Sequence, residues 1–183
     1  PITAATVPGT QGDGSTFLWV GGSLPCNSVS GGGDGGTTFC ASNGAGGYRT
    51  DGYWQRQGAT AFVKDVWFGI VRDGSTDNTS VFPKWLASCQ GKIMLDTSGT
   101  AIYSTVGATI YTPPENCTWQ TVPGSNDNFT VNTSSQVLIN NTHPNFAVIG
   151  TGTVTLKGPS SGFSNFIYPS ANNLLLKDFT FDG

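Results

Sequence analysis

The sequence predicts an all-β chain that opens a stacked parallel structure, on three observations. From Lys92 onward, short segments rich in β-branched and aromatic residues alternate with Gly, Pro, Asn and Ser turns. One amphipathic segment, Val81 to Cys89, precedes them and is placed to cover the end of a stack. The leading residues differ in composition, since more than half of the 26 glycines fall before Ala59. The expected organisation is a Gly-rich extended arm or attachment region over 1–64, then a capping segment and the first coils of a solenoid over 65–183.

The arm comes first. Runs such as Gly31-Gly32-Gly33-Asp34-Gly35-Gly36 lose too much backbone entropy to fold around a core of their own. Yet Phe17, Leu18, Trp19, Val20, Phe39, Tyr48, Tyr53 and Trp54 are spread among them. Aromatics on such an arm need a surface to bury against. Phe17, Trp19, Tyr53 and Trp54 are therefore the residues expected to dock the arm on another protein or a sister subunit. A flexible linker with incidental aromatics is the alternative.

Asp73-Gly74 is a turn pair, and Thr76, Asp77, Asn78, Thr79 and Ser80 are all residues that cap helix N-termini. Behind them Val81, Phe82, Trp85, Leu86 and Cys89 line one helical face. With Ser80 as N-cap, Pro83 falls in the first turn, where a missing N–H costs little, and Gly91 supplies the stop. Asp73, Gly74, Asp77, Ser80 and Trp85 are the expected structural cap. The same pattern would also suit a surface helix on any β domain.

Strands are expected at 92–96, 101–105, 109–112, 118–122, 129–133, 136–140, 146–149, 153–157, 165–168 and 174–181. Ile149 to Val154 and Leu176 to Phe181 echo one another about one coil apart. Asn140-Asn141 and Asn172-Asn173 can occupy left-handed corners or stack their amides along a solenoid; ordinary turn residues are the plainer reading. A coil buries its inward face only against coils above and below. Leu174, Leu175, Leu176, Phe179 and Phe181 would otherwise lie on an open edge prone to aggregation. More coils, a cap or partner chains are expected to follow, as in the front portion of a longer protein.

The run from Asp65 to Ser104 resembles the opening of the pectate-lyase-like β-helix family, in the rhamnogalacturonase/epimerase branch shared with bacteriophage tailspikes. The matching residues are Phe68-Gly69, Asp73-Gly74-Ser75-Thr76-Asp77-Asn78-Thr79, the helix to Ser88, and Gly91-Lys92-Ile93-Met94-Leu95. Ile70, Asn78, Pro83 and Asp96-Thr97 depart from the family pattern. The resemblance implies the start of a right-handed parallel β-helix with a short N-terminal capping helix. It also implies a phage tailspike or tail fibre. The arm would bind other tail or baseplate proteins, the chain would form a homotrimer, and a distal part would bind a host surface glycan, with or without depolymerising it. A secreted polysaccharide lyase or glycoside hydrolase is the alternative, and a surface adhesin a weaker third reading. The expected location is the virion tail, or the extracellular space under the alternative.

Cys26, Cys40, Cys89 and Cys117 allow three disulfide pairings and none has CxxC metal spacing. Cys26–Cys40 would close a loop in the arm, and Cys89–Cys117 would staple cap to coil. Assembly in a bacterial cytoplasm would leave them free, and secretion makes both pairs credible. Asn78, Asn116, Asn128, Asn132 and Asn140 begin N-x-Ser/Thr sequons. A net charge of −3 with 10% charged residues argues against nucleic-acid binding. No apolar run approaches a membrane span, and no membrane insertion is expected. His143 is the only histidine and reads as part of a turn. Asp96, Glu115, Asp127, Asp178 and Asp182 are candidate carboxylates, though paired acid chemistry needs a separation that sequence alone does not fix. No catalytic residue, cofactor or metal ligand is assigned.

Overall fold

Two five-stranded parallel sheets and a third, shorter face wrap a common apolar interior. The structure, a computed structural model, describes residues 2–3, 16–22, 33–43, 45, 47–104, 111–130, 137–157, 165–178 and 180–182. The first sheet stacks β5 (Phe62–Lys64), β7 (Ile93–Leu95), β9 (Thr118–Thr121), β12 (Phe146–Gly150) and β15 (Leu174–Lys177). The second stacks β6 (Asp73–Asp77), β8 (Gly99–Tyr103), β10 (Ser125–Thr130), β13 (Thr153–Lys157) and β16 (Thr180–Asp182). The third face pairs β11 (Val137–Asn141) with β14 (Asn165–Pro169), and Tyr111 bridges to Ile139 beneath them. Every pairing in these faces is parallel. Among the described residues these faces form a β-solenoid with one short α-helix and one turn of 3-10 helix (Asp65–Phe68), as the turn-punctuated strands imply.

Register explains the core. Val63, Met94, Trp119, Val148 and Leu176 stand in one column of the first sheet. The first four are fully buried. Tyr103, Phe129 and Leu156 form a column in the second sheet, and the Tyr103 and Phe129 rings stack at 4.3 Å. Tyr111, Ile139 and Ile167 supply the third. Inward positions alternate with outward ones along β9, β10 and β13, so a one-residue slip there would turn a whole column to solvent. The second half of the expected internal echo matches the register, with Val154 over Phe181. The first half is off by one, because Leu176 pairs with Val148 rather than Ile149.

The helix α1 (Phe82–Ala87) closes the first coil. Phe82, Trp85 and Leu86 are buried, and the Phe82 ring meets Tyr103, Tyr111, Trp119 and Phe129 at 4.8–5.7 Å. Trp85 Nε1 donates to Val63 O at 3.0 Å, which satisfies the buried indole. Pro83 sits in the first turn, as its missing N–H requires. The N-cap is Val81, with no side-chain cap, so Ser80 does not play that part and lies exposed. Asn78 turns the chain instead: its carbonyl accepts from Val81 and Phe82 N–H. Its side chain accepts from Val71 N and donates to Val71 O and Thr76 O. Asp73–Asp77 is a bulged strand that contains the expected Asp73-Gly74 turn, with Gly74 at φ 74° and Asp73 bonding the backbone two residues on.

Polar composition masked one strand. Ser125-Asn126-Asp127-Asn128 reads as turn, yet it is the first part of β10, hydrogen-bonded between β8 and β13. The solenoid also begins before Asp65, since β5 already pairs with β7. Within the glycine-rich segment, β1 (Ile2–Thr3), β2 (Thr16–Gly21), β3 (Thr38–Phe39) and β4 (Gly52–Arg56) make an antiparallel sheet in the order β1-β2-β4-β3. Its described residues are therefore folded rather than extended. The sheet rests on the solenoid through Arg56, whose guanidinium lies 4.7 Å from both the Phe17 and the Trp67 rings. Gly36 packs so close to the Phe68 ring that a Cβ would overlap it.

Candidate functional site: one arginine among three aspartates

Titratable side chains converge at one place, inside the solenoid where the first and second sheets meet. Arg72 lies just before β6 and points inward with its side chain 4% exposed. Its Nε donates to Asp65 Oδ2, and its Nη2 contacts Asp96 Oδ1 at 2.8 Å and Asp127 Oδ1 at 3.1 Å. Nη1 reaches Gly99 O at 3.4 Å. All three aspartate side chains are sealed from solvent. Register places them: Lys64 pairs with Leu95, so Asp65 and Asp96 occupy successive levels of the first sheet. Asp127 comes from the second sheet, in the column of Ala101 and Val154.

The surroundings hold each carboxylate. Asp65 accepts from Val66 N at 2.7 Å, Thr97 N at 2.9 Å and Thr97 Oγ1 at 3.2 Å. Trp119 Nε1 donates to Asp96 Oδ1 at 3.0 Å, and Tyr103 OH to Asp127 Oδ1 at 3.1 Å. Asp96 Oδ2 and Asp127 Oδ2 are buried and receive no donor from another group. Burial, and then the Asp127 charge, push the Asp96 carboxyl well above its ordinary range despite Arg72. Asp127 is raised by burial and held back by Arg72. Two adjacent buried carboxyls cannot both ionise against a single cation. We therefore place one proton on Asp96, in the side-chain hydrogen bond that joins it to Asp127. Burial works against the Arg72 charge, but Asp127, Asp96 and Asp65 outweigh it and raise its pKa. Tyr103 is driven up by burial and by Asp127 and stays neutral.

Chemically this is a closed proton-sharing pair locked by a cation. A substrate has no route to it, because the side chains that would act are covered. It ties residues 65, 72, 96 and 127 of successive levels into one network. Of the candidate carboxylates, Asp96 and Asp127 are brought together. Glu115 is exposed and accepts from Gln90 at 3.4 Å, and Asp178 is an exposed partner of Lys177 at 3.5 Å. The Asp182 side chain lies outside the described residues. His143 is exposed in a turn, with Nδ1 3.0 Å from Pro113 O. Asp65, Arg72, Tyr103 and Trp119 carry the cluster without having been singled out for it. A signal existed: Phe62-Val63-Lys64-Asp65 and Ile93-Met94-Leu95-Asp96 are the same short apolar strand followed by Asp.

The other expected residues are dispersed. Asp73 accepts from Ser75 N, Thr76 N and Thr76 Oγ1 at 2.7–2.8 Å. The Thr76 and Ser75 N–H groups hold its carboxyl far below the usual range. Gly74 takes φ 74°. Asp77 binds Thr79 N and Oγ1 and Ser104 N, and the Thr79 bonds lower its pKa. In the antiparallel sheet Trp19 faces Trp54 across the β2–β4 ladder, ring to ring at 5.1 Å, and Phe17 is buried beside Phe39. These aromatics meet partners within the chain, while Tyr53, Trp19 and Trp54 stay half-exposed.

On one corner stands a second array. Gly91, Asn116, Asn145 and Asn173 all take left-handed φ, between 56° and 65°. Asn173 Nδ2 donates to Asn145 Oδ1 at 2.8 Å, and Asn145 Nδ2 to Asn116 Oδ1 at 2.7 Å. The amide ladder anticipated for Asn172-Asn173 is real at Asn173, and its lower rungs are Asn145 and Asn116. Asn140 instead accepts from Ser170. Cys89 and Cys117 form a disulfide with Cα atoms 5.2 Å apart, joining cap to coil. Cys40 is disulfide-bonded as well, and Cys26 lies outside the described residues. Among the described residues no group of His, Cys, Asp and Glu is arranged to hold a metal, and no helix is long and apolar enough to cross a membrane. Compared with protein families, with curated proteins and with solved structures, the chain gave no match.

Proposed function

We propose that the chain is part of an exported, polysaccharide-binding β-helix protein, in the setting of a secreted polysaccharide lyase or glycoside hydrolase of the pectate-lyase-like kind. The observation that carries this reading is the disulfide between Cys89 and Cys117, seated in the core where cap meets coil. Disulfides in the cores of small mesophilic proteins belong to oxidising compartments. The outward positions of the second sheet add Thr100, Asn126, Asn128, Thr153 and Thr155, half-exposed side chains suited to sugar hydroxyls. The buried aspartates give this protein rigidity, and carbohydrate chemistry is not assigned to them. The test is a binding screen of the full chain against acidic and neutral polysaccharides, with a thiol titration of protein from its native source. Retention on a polysaccharide with no free thiols supports the reading. Four titratable thiols in native protein would remove the exported setting.

The second reading is a phage tailspike or tail fibre, a homotrimer whose residues 1–64 dock on tail proteins and whose distal part meets a host glycan. The half-exposed Trp19, Tyr53 and Trp54 on a sheet set before a capped solenoid favour it. Native mass separates the two: a trimer supports the spike, and a monomer removes it.

A further inference from the structure

We propose that Asn116 is a site of N-linked glycosylation, and that the fold excludes the same modification at Asn78. The inference goes beyond polysaccharide binding and rests only on the exported setting. Four of the five sequon asparagines fall among the described residues, and they differ in exposure, in place and in what their side chains bond. Asn78 is 1% exposed, and its Nδ2 donates to Val71 O and Thr76 O, which together hold the turn into the cap. A sugar on that nitrogen would remove a hydrogen bond and has no space. Asn128 lies in β10, between the neighbouring strands β8 and β13, with a buried Oδ1. Asn140 lies in β11, half-buried and engaged by Ser170.

Asn116 differs from all three in exposure and in place. It is exposed and stands on a left-handed corner rather than within a strand. The ladder runs in one direction, each Nδ2 donating to the Oδ1 of the level beneath. Asn116 is the last amide of that run, so its oxygen is used and its nitrogen is not. The next level holds Gly91, which offers no side chain, and a Cβ built there would meet nothing within 4 Å. The array therefore ends in a carboxamide nitrogen without a hydrogen-bond partner, on an exposed residue. Asn116-Cys117-Thr118 supplies the hydroxyl that the transferase reads.

In the reaction Nδ2 attacks the anomeric carbon of an oligosaccharide carried on a lipid diphosphate. The new N–C bond forms as the C–O bond to phosphate breaks. The lipid diphosphate leaves with the electron pair, and the amide proton passes to a base of the transferase. One N–H remains on Asn116, and its Oδ1 still accepts from Asn145.

The experiment places the full chain behind a signal peptide in a eukaryotic secretory host. The protease-resistant, folded fraction is isolated from cells and medium together and mapped by glycopeptide mass spectrometry. Occupancy above half at Asn116 and none at Asn78 is expected, and Thr118→Ala should remove one glycan mass while leaving the left-handed Asn in place. Asn116→Gln should do the same if it folds. Folded protein with an unmodified Asn116, or with a glycan at Asn78, would overturn the proposal. A thiol titration on the same material separates the two readings. Intact disulfides beside a bare Asn116 sink this inference and leave the exported setting standing.

Discussion

Asp127 holds a position that Ala101 below it and Val154 above it fill with apolar side chains. An acid in that column survives only because Arg72, Tyr103 and a shared proton meet it there. The titratable groups around that proton are Asp65, Asp96, Asp127, Arg72 and Tyr103, with the Trp119 N–H alongside. The sign of the pH dependence follows. Asp96 has a higher pKa folded than unfolded, so its stabilising effect is complete below the unfolded value of about 4. That effect is lost as pH rises through the folded value. Asp73 and Asp77 act oppositely: their lowered pKa values add stability above about pH 4, which disappears on further acidification. Urea unfolding should therefore show stability falling as pH rises from 4.5 toward neutrality, and Asp96→Asn should flatten that limb. An unchanged slope would put the proton elsewhere. Arg72→Met, which strands three carboxyls, should cost about 3–5 kcal/mol at pH 7, and visibly less at pH 4.5.

At the scale of elements, the cap helix depends on its surroundings. Six residues form too short a helix to be stable alone, so α1 persists through Phe82, Trp85 and Leu86 and through the bond from Cys89 to Cys117. Closing the 28-residue separation restricts the unfolded chain by roughly 3.5 kcal/mol. Cys89→Ala with Cys117→Ala should lower the unfolding free energy by about that amount. Calorimetry under non-reducing conditions would check it, and a loss below about 1 kcal/mol would mean that packing alone holds the lid. The periodicity of Val81, Phe82, Trp85, Leu86 and Cys89 made this helix legible, and alternation made most strands legible. Ser80 was misplaced because a capping hydroxyl is a local signal, whereas the turn is fixed by Asn78 reaching Ile102 O across the coil. The polar start of β10 was hidden for a related reason, since its ladder partners lie about 27 residues away in either direction. The aspartate cluster is a property of register, and register appears only once strands are stacked.

For the whole molecule, the antiparallel sheet and the solenoid meet where the Arg56 guanidinium lies against Phe17 and Trp67 and where Gly36 packs on Phe68. Each guanidinium–ring contact contributes about 0.5–2 kcal/mol when shielded from water. Arg56→Ala should therefore speed amide exchange in β2 and β4 by roughly tenfold, for a loss near 1.4 kcal/mol, and leave β9, β10 and β12 unchanged. Equal acceleration in both parts, seen by hydrogen-exchange mass spectrometry, would mean that they unfold as one unit.

Phe82 and Trp85 precede in the chain nearly every strand they cover. During synthesis from the N-terminus the lid residues leave the ribosome before Tyr111, Trp119 and Phe129 exist to receive them. The earliest compact intermediate is therefore blocked at one end, and later coils can add only at the other. Translation thus gives this solenoid a direction of growth. A pairing error at one level can occur only at the advancing face, where the next few dozen residues either correct it or bury it.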